Sequence, residues 1–68
     1  MITSVTSEAD YSLHFSICTD EARGLLWLEV VIYEKGNPRR TKDFAGNEYD
    51  KAIGYYRRLQ AEFKKIYG

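Results

Sequence analysis

The chain has 68 residues, 44% of them apolar and 29% charged, with one Pro and one Cys. These figures bound one small globular domain, residues 1–68, and exclude disorder, low complexity and an internal disulfide. Ten Lys+Arg balance ten Asp+Glu, so the chain lacks the basic excess from which proteins that coat nucleic acid draw most of their affinity.

The longest apolar stretch, Leu25 to Tyr33, is interrupted by Glu29 and falls far short of the roughly 18 residues a membrane helix needs. The N-terminus lacks the basic start and apolar run of a signal peptide, so a soluble, cytoplasmic protein is expected. His14 and Cys18 are the sole histidine and cysteine. That excludes a Cys/His structural metal site, and no cofactor is expected. Stability must come from packing or oligomerisation.

The neutral total hides an asymmetry. Residues 1–34 carry one base and six acids, and residues 35–68 carry nine bases and four acids. Either the folded surface is dipolar, suiting a protein partner of mixed charge or self-association, or the split follows chain order alone.

Residues 1–9 are polar apart from Met1, Ile2, Val5 and Ala9, and read as a tail or a short edge strand. From Tyr11 to Cys18, Tyr11, Leu13, Phe15 and Ile17 alternate with Ser12, His14, Ser16 and Cys18. Period two predicts a strand with one buried face. Thr19 to Gly24 is a polar connector. Leu25 to Glu34 is the second strand, with Leu26, Leu28, Val30 and Ile32 on one face and Leu25, Trp27, Glu29, Val31 and Tyr33 on the other. Apolar groups on both faces mark it as central. Lys35 to Pro38 is turn chemistry, and Arg39 to Phe44 is a short charged strand suited to an edge.

Asn47 is a candidate N-cap, with Asp50 three residues later. Tyr49, Ala52, Ile53, Tyr56, Leu59, Phe63 and Ile66 recur at three- and four-residue steps and predict a helix with one apolar stripe. The expected fold is α+β: a three-stranded antiparallel sheet, β-β-β-α, with the C-terminal helix on one face. Its core would hold Leu13, Phe15, Ile17, Leu26, Leu28, Val30 and Ile32, at roughly 2 kcal/mol per well-buried large side chain.

Catalytic constellations are missing from the sequence: there is no Gly-rich phosphate loop, HExxH, CxxC or GxSxG. His14 and Cys18 lie four apart on one strand, roughly 13 Å at 3.3 Å per residue, too far to act as a nucleophile pair. A non-enzymatic binding protein is expected. One helix covers one face of the sheet, so Trp27, Val31 and Tyr33 on the reverse are exposed, covered by Ile2 and Val5, or buried by a partner. Arg39, Arg40 and Lys42 form a basic edge that suits phosphate or an acidic protein patch. Homodimerisation through the Trp27 face is compatible with this reading.

Trp27 in a strand, the KGNPRRTKDF hairpin, Phe44 before a turn, and Ala52, Tyr56 and Leu59 on the following helix resemble the layout of AP2-like DNA-binding domains and phage-integrase arm-binding domains. The resemblance spans about half the chain. It implies a sheet whose outer face enters the major groove, with Trp27, Arg39, Arg40 and Lys42 as DNA contacts; Glu29 on that face departs from the pattern. In size and character the chain is also similar to small phage and mobile-element accessory proteins, including anti-CRISPR inhibitors. That likeness implies occlusion of a protein partner.

Overall fold

The computed structural model describes residues 1–67; Gly68 lies outside the described residues. Four strands, β1 (Ile2–Glu8), β2 (Tyr11–Asp20), β3 (Leu25–Glu34) and β4 (Asn37–Ala45), precede one helix, α1 (Tyr49–Tyr67). The strands form an antiparallel meander in the order β1-β2-β3-β4. The α+β class and the C-terminal helix agree with the sequence. The strand count does not: residues 2–8 add a fourth strand at the edge.

The reason lies in what β1 faces. Ser4, opposite Phe15, and Thr6, opposite Leu13, turn toward the helix. They meet a hydroxyl there instead of an apolar surface. The Tyr56 hydroxyl lies 2.9 Å from Ser4 Oγ and 3.1 Å from Thr6 Oγ1, and Gln60 Nε2 donates to Thr6 Oγ1 at 3.0 Å. A strand docked by hydroxyls lacks the apolar alternation that marks a half-buried strand.

The turns are tight. Ala9 and Asp10 join β1 to β2, and Lys35 and Gly36 join β3 to β4. Lys35 and Gly36 both have positive φ (52° and 84°), as the commonest two-residue hairpin turn requires. Asn37 and Pro38, expected in the turn, therefore belong to β4. The Lys35 amide donates to the Asp10 carbonyl at 2.7 Å, tying the two hairpin tips together. At the other end, a Cβ on Gly46 would stand 2.5 Å from Leu26 Cδ2 and 2.8 Å from the Leu26 carbonyl oxygen, so the chain passes there only as glycine.

The core lies between one sheet face and the helix. Leu13, Phe15, Leu28, Val30 and Ile32 from the sheet meet Ala52, Tyr56 and Phe63 from α1. The Phe15 ring meets Tyr49 and Tyr56 edge-on at 5.9 and 5.7 Å. Ile17 packs at the margin. Leu26 has the expected parity but stays half exposed at the end of β3. The helix stripe is rotated from the expected one: Ile66 is exposed, and Tyr67 instead stacks on Tyr11 at 4.1 Å.

The helix begins after Glu48, one residue beyond the expected Asn47 cap. Glu48 Oε1 accepts the Ala45 amide at 3.0 Å, and the Glu48 carbonyl accepts the first helical bond, from Ala52. Among the described residues no helix is long and apolar enough to cross a membrane.

Candidate functional site

Strand parity divides the side chains. The face turned from the helix carries Ser12, His14, Ser16, Cys18 and Asp20 from β2, Leu25, Trp27, Glu29, Val31 and Tyr33 from β3, and Thr41 and Asp43 from β4. Among the described residues, no element lies over it. Ile2 and Val5 do not fold back: β1 continues the sheet beside β2, and both side chains are exposed.

Trp27 and Tyr33 are partly exposed on this face, at opposite ends of β3. The Trp27 indole N–H donates to Glu29 Oε2 at 3.1 Å, which fixes the ring along the strand. Tyr33 packs on the His14 ring at 4.5 Å, and His14 Nε2 lies 3.0 Å from Ser12 Oγ. Val31 sits between His14 and Thr41 in the cross-strand ladder and is 4% exposed. In the isolated chain Val31 therefore offers almost no surface.

The charged side chains at the strand positions of this face are acids, and the Met1 ammonium, bonded to the Ile17 carbonyl, supplies positive charge beside Cys18. Glu29 stands directly opposite Asp43, a like-charge cross-strand pair that a sheet selected for stability alone avoids. Asp20 adds a third acid at the strand end, where Arg23 of the following turn lies 3.6 Å away. The strand positions of this face hold no Lys or Arg. Cys18, opposite Trp27, has its thiol pKa pushed up by burial and by the Glu29 charge, the reverse of an activated thiol.

The expected basic residues lie elsewhere. Arg40 pairs with Ile32 and Lys42 with Val30, so both project to the helix side. Lys42 Nζ stands 5.8 Å from the Phe44 ring centroid and 5.9 Å from that of Tyr55. Arg39 occupies the register irregularity of β4, and its Nε lies 3.1 Å from Glu34 Oε1. Glu34 Oε2 accepts the Tyr11 hydroxyl at 3.0 Å. That bond, with burial, raises the Tyr11 pKa. The six predicted contact residues thus split between two faces: Trp27, Val31 and Tyr33 on one, Arg40, Lys42 and the Glu34-bound Arg39 on the other. Asp43, missed in the sequence, joins the first group through its pairing with Glu29.

Lys42, Lys51 and Arg58 line a shallow groove between β4 and α1, with Asp50 and the rings of Phe44 and Tyr55. Among the described residues, no group of three His, Cys, Asp or Glu side chains is placed to hold a metal. No family model matches the chain, and no characterised protein or solved structure was found similar to it.

Proposed function

We propose that the chain is a small non-enzymatic protein-binding module that uses the open face of its sheet. The observation that carries this reading is that partly exposed Trp27 and Tyr33 share a face with Glu29 and Asp43, and that the strand positions of this face carry no Lys or Arg. Aromatic side chains supply contact area at low entropic cost. The acids select a partner that presents Arg or Lys beside apolar groups, and cations stack well on indole and phenol rings. A chain of this size acts most simply by occluding a working surface of its partner, in the manner of anti-CRISPR-type inhibitors carried by phages.

The AP2-like alternative sets a duplex against the same face. Phosphates would then meet Asp20, Glu29 and Asp43, and repulsion opposes that approach. The bases gather instead in the groove of Lys42, Lys51 and Arg58, so any DNA contact belongs on the helix side.

Trp27 is the sole tryptophan, and its fluorescence reports on the face directly. Titration with an Arg/Leu peptide shifts the emission saturably, whereas a Glu/Leu peptide of equal length does not. Equal responses to both, or none to either, remove the basic partner. Duplex DNA that binds with a steep salt slope and is lost in Lys42→Glu, with Trp27→Ala unaffected, moves the function to the helix side.

A further inference from the structure

The two edges of the sheet are built differently. Soluble sheets protect their edges with Lys, Pro, bulges and inward charges, because an open strand is a template for another. β4 has such protection: Pro38, Arg39, Arg40 and Lys42, with a register irregularity at Arg39. β1 has little. Residues 2–7 carry no charge and no proline. The register irregularity of β1 lies at its start, between Ile2 and Ser4, and Ser4 to Glu8 then pair regularly with β2. In an antiparallel strand every second residue turns its N–H and C=O away from its partner, so this regular run presents an unmet ladder.

The tract Thr3-Ser4-Val5-Thr6-Ser7 is self-complementary. Antiparallel pairing about Val5 sets Val5 against Val5, Ser4 against Thr6 and Thr3 against Ser7. These are β-branched and hydroxyl pairs of matched size, with no charge opposing its like. Val5 and Ser7 are exposed, and the helix-side positions Ser4 and Thr6 are already held by Tyr56 and Gln60. The strand is thus set in extended form before any second chain arrives, which lowers the ordering cost of association.

We infer that β1 is a docking edge for a second copy of this chain, joined by two-fold antiparallel β1–β1 pairing about Val5. The product is an eight-stranded sheet that carries both helices on one side and joins the two open faces into one surface. The interface is isologous and closes at two chains. The guarded β4 edges at either end stop further growth. The inference rests on the sheet edges and stands apart from the reading of the open face.

Analytical ultracentrifugation of the full chain tests it. Between about 10 μM and about 1 mM, the range suited to a small, weak interface, the mass rises from one chain to two. Val5→Lys places a charge against its own copy and weakens association by about tenfold or more. Thr41→Lys, exposed on the other edge strand, leaves it within about twofold. Ser7→Lys serves as the second edge variant should Val5→Lys lower the melting temperature of the dilute monomer. A chain that stays monomeric throughout the range overturns the inference. So does association that survives the edge lysines, or that is abolished by Trp27→Ala alone, which would place the contact on the open face.

Discussion

The Tyr56 hydroxyl lies 2.9 Å from Ser4 Oγ, joining residues 52 positions apart in the chain. It also lies 3.1 Å from Thr6 Oγ1, while the Tyr56 ring is buried against Phe15. One side chain therefore closes the apolar core and latches the edge strand. Tyr56→Phe keeps the ring and removes the latch. The expected loss is about 1–2 kcal/mol, read as a lower melting temperature. Amide exchange should quicken in β1 more than in β2 and β3. Uniform acceleration across the sheet would show that the hydroxyl does not act on β1 in particular.

Glu29 opposite Asp43 costs stability in the free chain. Asp43→Asn removes the repulsion and should stabilise by about 0.2–1 kcal/mol, seen as a higher denaturant midpoint with an unchanged slope. The same substitution should weaken capture of a basic peptide. Higher stability with weaker binding is the pattern of a pair kept for its charge.

The Glu48 carboxylate is held below its ordinary pKa of 4.5, first by the Ala45 amide and then by the Lys51 ammonium 3.3 Å away. A depressed carboxyl contributes stability that is complete above its unfolded pKa and is lost as pH falls through the folded one. The contribution is therefore complete at pH 6 and is lost progressively as pH falls below about 4.5. Melting temperatures of wild type and Glu48→Gln should differ at pH 6 and converge near pH 3. A gap that does not shrink on acidification would separate the helix start from this carboxylate.

Ala9 has φ 53°, a left-handed conformation in a residue with a Cβ. Ala9→Gly relieves that strain. The gain, up to about 1 kcal/mol, should appear in thermal unfolding, with the β1–β2 register preserved by chemical shift. A loss would mean that the entropy of the unfolded chain outweighs the strain.

The central hairpin was legible because Leu13 and Phe15 in β2 alternate with polar neighbours, while β3 sets Leu28, Val30 and Ile32 on one face and Trp27, Glu29, Val31 and Tyr33 on the other, the pattern of a central strand. The helix was legible from its three- and four-residue steps, although a small rotation exchanged Ile66 for Tyr67. β1 was legible only as one of two alternatives, a tail or an edge strand, because its inward residues, Ser4 and Thr6, serve a buried phenol and carry no apolar signal. Leu26 has core parity, but parity does not tell where the helix stops covering the strand. For the site, Trp27 and Tyr33 were placed on one face by counting along a single strand. Arg40 and Lys42 belong to the next strand, and their face depends on the two-residue turn and on the irregularity at Arg39. A one-residue slip there moves every later side chain to the opposite face, and neither feature has a distinct residue signature.

The bonds from Tyr56 and Gln60 back to Ser4 and Thr6 also bear on the order of assembly during synthesis. The three hairpins join neighbours in sequence and can zip up locally as the chain emerges. The hydroxyls of the first-made strand find their partners only when the much later helix arrives. Until then a nascent meander displays its leading edge and its unroofed aliphatic layer together, and that interval is when a growing chain is most exposed to wrong pairing.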